Sequence, residues 1–591
     1  MLTWQARALE RNWLRWVLLI WAVAAVLMIW DRWDMIRWFA LGDTDDNLRI
    51  AQVRALIAGQ DWFDLRQYRL GFPPGADIHW SRLIDLPIAA IILALRPLVG
   101  GAIAEQAAVA LAPVLPMAVA LGAVALIARR LIAPLAFPVA IALLLCAHSA
   151  RGMWAPLRID HHGWQLAMLA LAALALTDPK RARGGLLLGL ATAVSLTIGL
   201  EMLVYLAVAG AIVVLMWVRD PAQAPRLAAY GASLAGGCAL GFLAFASYAN
   251  RAPVCDALSP VWLSAMAAAG AAAVALAWAG PRSWLARLML AVAAGAAIGA
   301  AFVLLWPDCL GRPERLSPEL DRIWLSNVRE ARPIWRHNLL TVASVTGLPL
   351  AGLVGYAATL WRWRRDEALL TPWVALAGLA SIAALLLLWQ TRSGPAAQLL
   401  SIPGAASLLW LAFLWLQRTR NWLLAGAGTV VAFLLISGLT LQFAAEQIPA
   451  KPSKRMTAVN IANRTCPTLA ALRPIARQPK GRVMTFVDLG PRLIAVTRHD
   501  AVAGPYHRNG AAILDVMHFF RGSPEAAEAI AAHRRVDYVL ICPNMSESTV
   551  YRSAAPKGFY VQLAAGKAPE WLAPVTLPGN SPYRMWRVVR R

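Results

Sequence analysis

Charge is what this sequence has least of. Only 15% of its 591 residues are Asp, Glu, Lys or Arg, against about 25% in soluble domains, while 59% are hydrophobic. That scarcity excludes an ordinary soluble globular chain. Many windows of about 20 residues are almost free of charge, long enough to cross a hydrocarbon core of roughly 30 Å. Acidic residues are the scarcer sign: 32 stand against 56 Lys and Arg, a formal net charge of +24. In a soluble protein that excess points to nucleic acid. In a membrane chain it reflects basic cytoplasmic loops, so no nucleic-acid partner is expected. Internal repeats and low-complexity tracts are absent. So is a small-residue cleavage site after the first apolar stretch, which Arg7, Arg11 and Arg15 precede and Trp30, Arg32 and Trp33 follow. An uncleaved first span is expected rather than a signal peptide.

What is present is a series of apolar runs. Spans are expected near 13–30, 106–128, 132–149, 163–177, 184–199, 201–218, 227–248, 258–280, 288–306, 338–361, 370–389, 398–417 and 422–441, thirteen in all. With the N-terminus inside, every inner loop is basic, including "PKRAR" (179–183) and "WRWRRDE" (361–367), as the positive-inside rule requires. An odd span number then places the C-terminal region outside. The apolar run 83–99 breaks this count unless it is a membrane-dipping or interfacial helix. The expected layout is a polytopic α-helical domain, 1–441, with outer loops 31–105 and 307–337, followed by a periplasmic α/β domain, 442–591. In that tail, "RVMTFVD" (482–488), the Ala/Glu-rich "SPEAAEAIAAHRR" (523–535) and "VDYVLICP" (536–543) read as strand, helix, strand. Of six cysteines, Cys255 and Cys309 fall in outer loops and Cys466 and Cys542 in the tail, allowing two disulfides in an oxidising compartment.

Three outer segments carry acids at the membrane boundary, where ionisable groups are functional candidates by default. Asp43, Asp45 and Asp46 follow the first span at the start of an amphipathic helix, where acids also cap. "LRIDHHG" (157–163) sets Asp160 two residues from His162, a spacing that aims a carboxylate and an imidazole at one point. That pair suits a divalent ion of the Mn2+ or Mg2+ type. Glu330, in "SNVREARP", is the third acid, with Arg329 and Arg332 as simple ion-pair partners.

Taken in order, these segments resemble the STT3-type oligosaccharyltransferases, the GT-C glycosyltransferases that include PglB and AglB proteins. The matching motifs are Asp43 six residues before Arg49, Asp160-His161-His162 as the D-x-D or D-x-H motif, and Glu330 in the place of the T/S-x-x-E glutamate; "PPG…HW" (73–80) is also similar. The resemblance implies about thirteen spans of GT-C type and a multi-pass bacterial inner-membrane location. It implies Asp43, Asp160 and His162 as metal ligands, with Asp45 and Asp46 as rivals for the role of Asp43, and Glu330 as a further metal ligand or as the group that positions the acceptor. Asp43, Asp160 and Glu330 become the catalytic set, and Mn2+ or Mg2+ the cofactor. The donor is a polyprenyl-linked sugar whose phosphate Arg392, and next Arg158, would neutralise. The acceptor is a periplasmic protein, lipid or glycan. The W-W-D-Y-G motif of protein-N-glycosylating members is degenerate here. "TFVDLGPRL" (485–493) keeps Asp488 and Gly490 but has Phe486, Val487 and Leu489 in place of the two Trp and the Tyr. Asp488, with His507 and Arg508 of "AGPYHRNG", is the candidate acceptor contact. Alternatives are a polyprenyl-monophosphate-sugar transferase acting on lipid or polysaccharide, and a non-catalytic transporter or scaffold. Transporters place their ionisable groups at mid-membrane, unlike the pattern here.

Overall fold

The computed structural model describes residues 2–71, 74–419, 421–448 and 453–590. Pro73 of the "PPG…HW" phrase lies outside them. Apolar helices dominate. Among the described residues, eight are long and apolar enough to cross a membrane, or nine if the pair Trp422–Ile436 and Leu439–Glu446, bent by 69°, is one span. Phe137–Cys146, His162–Leu176 and Leu203–Arg219 are shorter apolar helices. Thirteen is reached only if these three and Arg181–Ile198 cross as well. Small residues set the packing. Gly185 and Gly189 of Arg181–Ile198 lie against the backbone and Ser233 of Ala224–Phe245, the close approach that membrane helices use in place of a hydrophobic drive.

The run at 83–99 forms the helix Asp85–Val99, which doubles back at Gly100 and packs along Gly101–Leu111. Gly100 has φ 80° and ψ 166°, a conformation open essentially to glycine alone. The continuous apolar stretch Gly101–Leu131 has 31 residues. At 1.5 Å per residue it is about 46 Å long, roughly 16 Å more than a hydrocarbon core. Asp85–Val99 is folded against the first part of that stretch.

The C-terminal lobe is α/β. Its strands are β1 (Arg482–Met484), β2 (Asp500–Ala501), β3 (Tyr538–Ile541), β4 (Leu572–Pro574) and β5 (Arg584–Val588), in the order β2-β1-β3-β5-β4. Val483 of β1 pairs in parallel with Ala501 of β2 and Tyr538 of β3. β5 runs antiparallel to β3 and β4, with Val539 opposite Trp586 and Ala573 opposite Arg587. The expected helix is Pro524–His533. The first expected strand is shorter than 482–488 because the chain turns at Val487–Leu489 into the helix Gly490–Val496.

The first loop holds the lobe directly. Leu70 makes a parallel bridge to Ala501, extending the sheet edge. The guanidinium of Arg69 donates to the carbonyls of Ile494, Thr497 and His499 at 2.6–2.8 Å. In return the buried Arg492 donates to Phe39 O (2.9 Å) and Asn47 Oδ1 (3.1 Å). Leu48, Leu70, Ile78 and Trp80 of the loop belong to the same apolar core as the sheet. Both cysteine pairs are joined, Cys255–Cys309 and Cys466–Cys542, with Cα separations of 5.4 and 6.4 Å.

A candidate active site at the seam of loop and lobe

The acids of the first loop and of "IDHH" meet around one guanidinium. Asp43 is the N-cap of the helix Thr44–Ile57; its Oδ1 accepts the Asp45 N–H at 3.0 Å. Capping uses only that oxygen, and Oδ2 pairs with Arg158. Arg158 Nη2 lies 2.8 Å from Asp160 Oδ2, so one side chain joins both carboxylates. Asp46, buried at the start of the same helix, accepts the Asp160 N–H at 3.1 Å through Oδ1. Asp160 Oδ1 accepts the His162 N–H at 3.0 Å, and the His162 ring Nδ1 sits 3.1 Å from Asp160 Oδ2.

Electrostatics follow from this crowding. Burial first, then the charges of Asp43 and Asp160, push Asp45 well above the usual carboxylate range. Asp46 is also pushed well up by burial, with Asp160 and Asp43 adding to it against the pull of Arg158. Burial would raise Asp160 too, but Arg158 and His162 more than reverse it and hold it ionised. From the lobe, Asp488 reaches the same region. Asp488 is exposed on the lobe surface; partial desolvation, then the charge of Asp43, lift it to about 6.

No three of Asp43, Asp45, Asp46, Asp160 and His162 bring ligand atoms within 4.8 Å of one another; Arg158 stands between the acids. The donor set nevertheless fits a divalent cation. Asp43 and Asp160 share one guanidinium, with Asp45 and Asp46 within its field. Asp160 Oδ2 and His162 Nδ1 are buried without an aligned hydrogen bond. Hard oxygens with one imidazole are the ligands such an ion takes. Glu330 lies apart. It is 62% exposed at its side chain, and its ion pair, 3.6 Å, goes to Arg392. Two residues expected to serve different substrates thus face each other.

His507 and Arg508 are also placed. His507 Nε2 lies 2.5 Å from Asp256 Oδ2, and Arg508 forks onto both Asp256 oxygens at 2.7 and 2.6 Å. Asp256 and Glu201 were missed by the sequence reasoning. Glu201, in the turn before Leu203–Arg219, accepts from His161 Nε2 (2.9 Å) and Gln165 (2.6 Å). A lone acid in so short an apolar turn is the signal that could have found it. Neighbouring ring centroids 4.2–4.9 Å apart form a continuous series from His162 through His161, Trp80 and His79 to His507. The two charged groups are therefore joined by a largely buried stack of rings at the seam.

The sequence matches no protein-family model and no curated protein. Solved structures do match. The oligosaccharyltransferase AglB of Archaeoglobus fulgidus, in complex with an inhibitory peptide and a dolichol-phosphate, superposes with a TM-score of 0.69 at 15% identity, over 96% of this chain and 73% of that one. The chain has the GT-C membrane-glycosyltransferase fold. An Archaeoglobus fulgidus oligosaccharyltransferase in complex with Zn and sulfate gives a TM-score of 0.61 at 15% identity, covering 94% of this chain and 71% of that one. The mycobacterial arabinofuranosyltransferase AftD gives 0.50 at 15% identity, over 98% of this chain and 40% of its own. Within this GT-C fold the acidic cluster lies where the first loop, the 157–162 turn and the lobe converge.

Proposed function

We propose that this protein is an integral-membrane glycosyltransferase that moves a sugar or oligosaccharide from a polyprenyl (pyro)phosphate to an acceptor on the periplasmic face. The observation that carries the reading is the meeting of Asp43, Asp46 and Asp160 at Arg158, from two distant segments, at the foot of the lobe. The fold supports it, as do the dolichol-phosphate and peptide complexes of its structural neighbour. Two disulfides, one between loop cysteines and one within the lobe, support an oxidising, extracytoplasmic compartment. We read 1–441 as the membrane domain and 442–591 as the periplasmic one.

Asp43, Asp160 and His162 are the proposed ligands of Mn2+ or Mg2+, with Asp45 or Asp46 able to replace Asp43. When bound, such an ion supplies Lewis-acid and template chemistry to the departing phosphate. The remaining work falls to the chain. Arg158, paired to Asp43 and Asp160, holds the acids in register and would offer positive charge to the donor phosphate. Glu330 and Arg392 are proposed to open from each other, Glu330 toward the acceptor and Arg392 toward the phosphate; their pair is exposed enough to exchange. Asp488 presents a carboxylate of about 6 beside Asp43, suited to accept a proton from an acceptor hydroxyl.

One observation favours an acceptor other than an Asn-glycosylation sequon. Phe486, Val487 and Leu489 are fully buried in the lobe core, Phe486 against Phe520 and Tyr551. Only Asp488 of that stretch faces out. No indole pocket for a sequon hydroxyl is built there, which supports transfer to lipid, polysaccharide or another hydroxyl. Comparative mass spectrometry of glycoconjugates and lipids from a deletion strain tests this: one class loses a sugar. An unchanged glycan and lipid profile contradicts the reading.

A further inference from the structure

We infer that His79, Asp256 and His507 form a second metal site, for a Zn2+-type ion, that fastens the lobe to the membrane body. A ring nitrogen of each histidine and a carboxylate oxygen lie within 4.8 Å of one another. The three come from separate segments: the first loop, the turn before Pro260–Ala279, and the lobe. Two imidazoles and a carboxylate, with one coordination position left over, are a ligand set typical of Zn2+. The acid-rich group at Arg158 suits a harder ion, and the two sets share no residue.

The local structure is prepared for an ion. Asp256 adjoins Cys255, so the Cys255–Cys309 bridge fixes its turn. Asn250 Nδ2 donates to His79 O at 3.1 Å and sets that backbone. Arg508 grips Asp256 through both oxygens, the outer support that ligating carboxylates receive. His79 Nδ1 is buried without a hydrogen-bond partner, and the His79 and His507 rings are 4.6 Å apart between centroids. Ligation through His507 Nε2 takes the tautomer that keeps its proton on Nδ1, so the ion replaces the hydrogen bond between His507 Nε2 and Asp256.

The test uses the full chain in detergent, stripped with chelator, then dialysed against trace Zn2+ in excess Mg2+ so that Mg2+ fills the acid-rich group. Metal content is read by elemental mass spectrometry and Tm by thermal unfolding. Wild type is expected to retain about one Zn2+ and gain Tm. His507→Gln and Asp256→Asn should each lower Zn2+ retention at least about tenfold, while Asp160→Asn keeps it. Co2+ loaded into unmutated protein should show the intense visible bands of a four-coordinate ion, a readout independent of how any variant folds. Wild type without Zn2+, equal Zn2+ in His507→Gln, loss in Asp160→Asn instead, or only weak six-coordinate Co2+ bands would each overturn the assignment. Because Asp160 and this site are tested separately, the proposed sugar transfer can fail without it.

Discussion

Asp160 joins three members of the cluster: its carboxylate meets Arg158 and His162, and its N–H meets Asp46. Asp160→Asn keeps the shape and the cap but removes the charge. Transfer should fall by about 10²-fold or more, in the range seen for one electrostatic group at a reacting centre, with expression and elution unchanged; full turnover in the variant argues against its role. A second residue-scale prediction concerns Glu547, which accepts the Val487 and Asp488 N–H groups at 2.9 and 2.8 Å and so aims Asp488. Burial, then Asp488, push Glu547 up to about 8. A carboxyl raised above its ordinary 4.5 gives its full stabilisation below that value and loses it as pH climbs to about 8. Lobe Tm should decline across that window. Glu547→Gln should flatten the decline while costing about 1–3 kcal/mol for the mismatched N–H; an unchanged slope contradicts this. At this scale the sequence displayed Asp43, Asp160 and His162 because acids stand out among apolar neighbours. It could not display Asp256 or Glu201, whose partners His507 and His161 lie 251 and 40 residues away. Nor could it show that Arg158 would sit between the expected ligands.

Helices were legible wherever apolar runs were long, and strand, helix, strand at 482–543 emerged in the expected order. Boundaries were less so: β1 stops at Met484 because Gly490 and Pro491 start a helix that pulls Val487–Leu489 into a turn. The hairpin at 85–111 needed the backbone of Gly100 to be seen. Gly100→Ala should cost about 1–3 kcal/mol, since its φ of 80° with ψ of 166° is strained for any side chain; an unaltered Tm would mean the hairpin does not depend on that turn. The turn carrying Asp256 depends in the same way on Cys255–Cys309, which closes a 54-residue separation. Replacing both cysteines with Ser should lower stability by about 2–4 kcal/mol, read as a Tm drop relative to wild type under oxidising conditions. A variant that keeps the wild-type Tm would refute it.

Across the whole molecule, the lobe is not an appendage. Strand pairing at Leu70–Ala501, the Arg69 and Arg492 contacts and the Tyr506 hydroxyl on Thr44 O make loop and lobe one unit. That union brings Asp488 to Asp43, and no local pattern in the sequence announces it. A chelator should therefore silence transfer without releasing the lobe, and Mn2+ or Mg2+ should restore it. The most direct measurement of the central claim is donor turnover in proteoliposomes, following release of polyprenyl (pyro)phosphate from a sugar-linked carrier. The account predicts release by wild type with Mn2+ or Mg2+, and none above background from Asp160→Asn or in EDTA. Release at the wild-type rate in that variant, or in chelator, would contradict it.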